Sequence, residues 1–161
     1  MEKDPARQAL SNALGKIPSG VFILTMARDG EESALLASWV QQCSFDPPCI
    51  SVAVRPDRPI CRLLTEGSSF TLNILDDSQT DMIAHFGRGF EPGSPAFEGI
   101  DVERPAEGDP ILSEALAYLR CQVIGRLNAG DHDVFLGRLL AGRVLNDGHP
   151  MIHIRKSGFH Y

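Results

Sequence analysis

The sequence predicts a mainly β chain folded as an antiparallel barrel with a few short helices. Three observations carry this. At least six segments of strand length are apolar throughout or alternate with period two. Gly, Asp, Asn and Pro turn signals separate them at short intervals. No regular β-α-β alternation appears, which argues against a parallel sheet. Closing the sheet into a barrel also disposes of its exposed edges.

Asp4 and Pro5 open the first element as N-cap and first helical residue. Leu10, Ala13, Leu14 and Ile17 follow at helical spacing, and Gly15 and Pro18 end it. Val21–Ala27 is nearly all apolar, a strand buried on both faces. Arg28-Asp29-Gly30 reads as a hairpin turn into a partner strand over Ser33–Val40. Asp46-Pro47-Pro48 breaks the chain before Cys49–Arg55, where Ile50, Val52 and Val54 alternate with Cys49, Ser51 and Ala53.

Asp57 and Pro59 start a short helix carrying Ile60, Leu63 and Leu64. Phe70–Leu75 is a further strand, with Asn73 as a buried polar group that needs partners. Ser78 to Asp81 has the form of a capping box ahead of a helix whose apolar face is Met82, Ile83 and Phe86. Residues 87–110 hold five Gly and four Pro, which suggests a functional flap or an interface arm. Leu116–Leu127 and Asp133–Leu145 read as two long strands joined by the turn Asn128 to Asp131. Gly137 and Gly142 in the second of them suggest bulges or tight curvature. Asp147-Gly148 turns the chain into a last strand, Met151–Ile154.

The 161 residues favour one domain, taken as 1–161. Hydrophobic residues at 43% and charged residues at 22% match an ordinary globular mix and exclude a mainly disordered chain. A net charge of −6 argues against a partner that is nucleic acid or anionic lipid. No apolar run approaches the ~18 residues of a membrane span, and no basic-then-apolar leader opens the chain. A cytoplasmic address is expected. Cys43, Cys49, Cys61 and Cys121 lack zinc-ligand spacing and are expected as free thiols, mostly buried. Of 15 basic residues 12 are Arg, a fork suited to phosphate and carboxylate.

No Rossmann or P-loop glycine pattern, HExxH or GxSxG is present. His149 and His153 are four apart, but on a turn and a strand that spacing makes no common face, and no metal site is expected. Ala37 to Pro48 is rich in small and hydrogen-bonding side chains: either a polar connection, or a place where a backbone meets a flat ligand closely. Arg55-Pro56-Asp57-Arg58 is either a solvated turn with a local ion pair or a phosphate pocket. His132, in the turn between the two long strands, either faces water or places an imidazole over a ligand.

Taken in order, Leu14 to Val21, Ala37 to Gln42, Phe45 to Pro48, Phe70 to Leu75 and Gly130-Asp131-His132 resemble the flavin reductase-like family. The wording is especially similar to the C-terminal flavin reductase module of cyanobacterial diflavin flavoproteins. The resemblance implies the FMN-binding split barrel and non-covalent FMN, with FAD as the alternative. It implies NAD(P)H as co-substrate, hydride transfer to the flavin, and electrons passed to oxygen, free flavin or a partner protein. It further implies a homodimer with flavin near the subunit interface. Positions matching the family's flavin contacts are Ala37, Ser38, Trp39, Gln42, Cys43 and Ser44, then Ala53, Val54, Arg55 and Arg58. His132 matches a turn close to flavin or nicotinamide and is the expected catalytic residue. The diiron and flavodoxin-like domains of the diflavin proteins do not fit in 161 residues, so a free-standing relative or an excised module is expected. The competing readings are a split barrel that stores or senses flavin without turnover, and a module serving only dimerisation. The absence of an acid–base or nucleophile constellation suits a cofactor that carries the redox chemistry itself.

Overall fold

The computed structural model describes residues 4–160, so the ends of the expected 1–161 unit lie outside the described residues. Helix α1 (Pro5–Leu14) starts as expected, with Asp4 Oδ1 accepting the Ala6 N–H at 3.0 Å. It anchors the C-terminal tail: Ser11 and Ser157 hydroxyls meet at 2.9 Å, and Gly158 N–H donates to the Ser11 carbonyl.

Strand β1 (Ser19–Gly20) is followed by β2 (Phe22–Arg28) and β3 (Glu31–Ala37). The β2–β3 turn places Asp29 and Gly30 at φ 52° and 81°, the left-handed pair that a tight hairpin needs. Next come β4 (Val40–Phe45) and β5 (Pro48–Val54), hairpinned through a cis Asp46–Pro47 bond. A 3-10 turn, Pro59–Arg62, leads to β6 (Ser69–Ile74) and helix α2 (Thr80–Gly87). The chain closes with β7 (Val102–Glu103), β8 (Ile111–Leu112), β9 (Ala117–Asn128), β10 (Asp133–Val144) and β11 (Ile152–His153).

Seven strands form one antiparallel sheet in the order β3-β2-β6-β9-β10-β5-β4. The sheet curls into a barrel, but its ladder does not close: β3 and β5 touch without pairing. That gap is the split. Leu24, Leu35, Val52, Val54, Phe70 and Phe135 fill the interior, capped below by Ile60 and Leu64. A second cluster of Ile23, Ala34, Phe86, Phe97 and Met151 covers the outer face of β2 and β3. This explains why β2 is apolar almost throughout: Leu24 and Met26 face one cluster, Ile23 the other.

Four local expectations are corrected. The strand from Ser33 stops at Ala37, because the chain must cross at Ser38 and Trp39 from one sheet edge to the other. The segment from Val40 to Phe45 is then an edge strand, not an irregular connection. Ser78 makes no capping box: its N–H and hydroxyl both donate to Asp76 Oδ1, a nearer acceptor, at 3.0 and 2.6 Å. Residues 87–110 are no free flap, since Ala96 and Phe97 are buried in the second cluster and Arg104 forks onto Glu32.

The bulge at Gly137 is present, and a Cβ there would lie 2.9 Å from Phe70 Cζ. The second register shift falls between Leu139 and Ala141, just before Gly142. Asn73 is fully buried and satisfied: its Nδ2 donates to the Ile23 carbonyl at 3.0 Å, and its Oδ1 accepts from Leu112 N–H at 2.9 Å. Cys49, Cys61 and Cys121 are buried free thiols, and Cys43 is exposed. No helix among the described residues is long and apolar enough to cross a membrane.

Candidate functional site

A cavity of about 310 Å³ opens at the split. Its walls come from the ends of β3 and β5, which face each other there without pairing. Leu35, Leu36 and Ala37 supply one side, and Ala53 and Val54 the other. Ile83 and Gly87 of α2 close it further. The lining is chiefly apolar, and no carboxylate belongs to it.

Two guanidinium groups stand on this lining, Arg55 and Arg58. Both follow β5 directly, so the strand that builds the wall also delivers the charge. Arg55 Nη2 pairs with Asp57 Oδ2 at 2.9 Å. The local ion pair that the sequence offered is therefore present, and Arg55 makes it from the cavity lining. Arg58 Nη1 reaches the Arg88 carbonyl at the end of α2, at 3.5 Å. Beneath them the Cys61 thiol donates to the Arg55 carbonyl at 3.2 Å, and burial pushes this thiol up to about 11, leaving it inert as a nucleophile.

His132 is only 7% exposed, which corrects the picture of a turn histidine facing water. Its ring lies 4.6 Å from the Trp39 ring, tilted by 45°. Its Nδ1 is 2.8 Å from Asp131 Oδ1, and this contact holds the Asp131 carboxyl below the usual range. The turn beneath it is tightly bound. Asn128 Oδ1 accepts from Gly130 N–H, and Asn128 Nδ2 donates to Asp133 Oδ1 at 3.0 Å. Asp133 also pairs with Arg126, and the two together hold its carboxyl low. Gly130 sits at φ 96°, a conformation that suits glycine. The hairpin end is thus a fixed mount for an imidazole on the cavity wall.

The structure brings together Ala37, Ser38, Ala53, Val54, Arg55, Arg58 and His132 on one cavity. Trp39 lines a neighbouring cavity that shares Ser38 and Ala53 with the first. Gln42, Cys43 and Ser44 line neither. They pair with the far end of β5 across a register shift at Cys43, and the Gln42 amide turns onto the Ser44 carbonyl at 3.3 Å. Sequence reasoning missed Val21, Leu35, Leu36, Ile83, Gly87 and His153, which also line the first cavity. Their apolar periodicity signalled packing, and His153 carried no signal beyond its spacing from His149. Among the described residues no group of three His, Cys, Asp or Glu is placed to hold a metal ion.

Residues 14–160 match the family model described as the flavin reductase like domain. Diflavin flavoprotein A 1 of Synechocystis sp. is 40% identical over 154 residues, covering 94% of this chain and 27% of that protein. The chain thus spans about a quarter of the length of the curated relatives it matches. Among solved structures, the NADH:FAD oxidoreductase SgcE6 of Streptomyces globisporus C-1027 superposes with a TM-score of 0.81 at 25% identity, over 94% of this chain and 91% of that one. BorF, the flavin reductase component of a bacterial two-component tryptophan halogenase, gives 0.77 at 25% identity over 92% of each chain. The matched residues take in every strand of the sheet and every residue of the cavity lining, and this chain belongs to the flavin reductase like domain family.

Proposed function

We propose that the protein binds FMN at the split and uses NADH or NADPH to reduce it, passing electrons to oxygen, free flavin or a partner protein. The carrying observation is the pairing of an apolar cavity with two guanidinium groups on its lining, Arg55 and Arg58. Ala37 and Ala53 are small enough for a flat ring to approach the backbone closely. Leu35, Val54 and Ile83 offer it apolar contact. Arg55 and Arg58 suit the phosphate, each offering a forked, charged donor. When bound, the flavin supplies the redox chemistry by accepting a hydride from the dihydronicotinamide, which leaves as NAD+ or NADP+.

The chain's own residues position and shield. The walls exclude water from one ring edge, and the open mouth of the split leaves access for the reductant. His132, held by Asp131 and the bonded turn, presents an imidazole at the rim where the two ligands would meet. The proposal includes a single domain, a cytoplasmic setting supported by four free thiols, and a homodimer. Support for the last is the set of exposed apolar side chains, Phe45 at 89%, Val144 at 71%, Ile152 at 69% and Leu127 at 67%.

Anaerobic titration tests the reading. Purified protein loaded with FMN should bleach on adding NADH or NADPH, with one equivalent of reductant per flavin. Flavin binding without bleaching would leave a storage or sensing protein. Failure to bind flavin would remove the proposal.

A further inference from the structure

Trp39 stands at the crossing from β3 to β4, and two segments distant in sequence meet its ring. The imidazole of His132 arrives from the β9–β10 turn, 4.6 Å away centre to centre. The guanidinium carbon of Arg155 arrives from the segment after β11 and lies 5.0 Å from the ring centre. That is inside the ~6 Å over which an aromatic face attracts a cation. Arg55, Arg62, Arg104 and Arg126 each pair with a carboxylate, whereas Arg155 makes no ion pair among the described residues. It is half-buried, and its Nη1 also reaches the Gly158 carbonyl at 3.5 Å.

The backbone on both sides of this contact is fixed. The Trp39 carbonyl accepts from Ala53 N–H at 3.0 Å, which ties the crossing to β5. Gly158 N–H donates to the Ser11 carbonyl at 2.8 Å, and a Cβ on Gly15 would come within 3.0 Å of the Arg155 carbonyl oxygen. The tail is thus seated on the end of α1. What the backbone leaves open is rotation of the indole about its own side-chain bonds, and Arg155 restricts it. His132 needs that restriction. Its Nδ1 contact is to Asp131, whose side chain is 90% exposed, and an exposed polar contact holds a ring only weakly. The Trp39 ring is its further support. We propose that Arg155 is a positioning residue for His132, acting through Trp39. What His132 does rests on the flavin reductase reading; what Arg155 does to His132 rests on the geometry alone.

The first test uses flavin-free protein. Trp39 is the one tryptophan of the chain, and its ring current displaces the proton NMR shifts of the His132 imidazole. Arg155→Ala should move those shifts toward the values of an exposed histidine. Arg155→Lys, which keeps a cation on a flexible stem, should move them less. Arg155→Gln takes the place of the alanine variant if that one loses its folded circular dichroism. Imidazole shifts equal to wild type in the uncharged variant would overturn the proposal. The second test is a double-mutant cycle in stopped flow on protein loaded with FMN. Arg155→Ala should slow flavin reduction about fivefold at saturating NADH or NADPH, but no more than about twofold beside His132→Ala, because residues acting as one unit are not additive. A loss of equal size in both backgrounds, or one that vanishes as the reductant is raised, would show that Arg155 serves something other than His132 and would also overturn it. If neither nucleotide reduces the wild type, the reductase reading fails, and the imidazole shifts still decide whether Arg155 positions His132.

Discussion

The Nδ1 of His132 lies 2.8 Å from Oδ1 of Asp131, its neighbour in the chain, yet the two side chains sit in different environments. The imidazole is buried against Trp39, while the carboxylate side chain is 90% exposed. A carboxylate accepting from Nδ1–H selects one tautomer and fixes the ring. Asp131→Ala is expected to release that choice, and Asp131→Asn, whose amide oxygen still accepts, to retain it. Long-range nitrogen–proton NMR of the His132 ring reads the tautomer directly, and identical ring spectra for Asp131→Ala and wild type would disprove the positioning role. His132→Ala is expected to slow flavin reduction in stopped flow more than it weakens flavin binding. A reduction rate equal to wild type would dispose of the catalytic assignment.

Arg58 and Arg55 differ in what else they hold. Arg58 leans on a backbone carbonyl at 3.5 Å, a long contact, whereas Arg55 is engaged with Asp57 at 2.9 Å. Arg58 is therefore the freer donor for a phosphate. Arg58→Ala is expected to weaken FMN binding by about 1–3 kcal/mol, the range for a lost hydrogen bond to a charged group. Arg55→Ala should cost less. Fluorescence titration of FMN measures both, and an unchanged dissociation constant for Arg58→Ala would exclude it as the phosphate anchor.

Much of the fold could be read from period and punctuation, because each main strand carries its own apolar pattern and each hairpin its own turn residues. Ile50, Val52 and Val54 alternate inward as their spacing requires. The crossing at Ser38 and Trp39 could not be read that way. It depends on which edges of the sheet β3 and β4 occupy, a non-local fact with no local signal. The same limit shaped the site. Residues 37 and 38 lie at the split, but 42 to 44 follow the edge strand away from it, and continuity in sequence concealed the separation. Ile83 and Gly87 enter the cavity only because α2 packs on β3.

Asn73 ties three segments that hydrophobic burial alone would leave free to slide. Its amide donates to the Ile23 carbonyl and to Thr25 Oγ1 and accepts from Leu112 N–H, joining β2, β6 and the end of β8. Asn73→Leu matches the volume closely but strands a buried N–H and a buried carbonyl. A loss of about 2–4 kcal/mol is expected, since each buried group left unpaired costs roughly 1–3 kcal/mol. Urea unfolding followed by Trp39 fluorescence measures it, and a midpoint equal to wild type would refute the role.

Asp109 is 1% exposed, its Oδ1 accepting the Ala27 N–H at 2.9 Å. Burial raises its carboxyl above the ordinary range, against the pull of Ala27, Ser69 and Arg120. The sign of the linkage follows. In the unfolded chain an Asp gives up its proton near pH ~3.9. The folded chain holds that proton to a higher pH. Stability from this group is therefore greatest below the unfolded value, falls as pH rises toward the raised folded value, and is flat above it. Asp109→Asn keeps an oxygen for Ala27 and removes the charge. Relative to wild type it is expected to gain stability as pH rises from about 4 to 7, the window opened by the unfolded value. Urea midpoints at the two pH values decide the matter: a difference between variant and wild type that stays constant, or moves against the variant at the higher pH, would show that Asp109 is not held up by its burial.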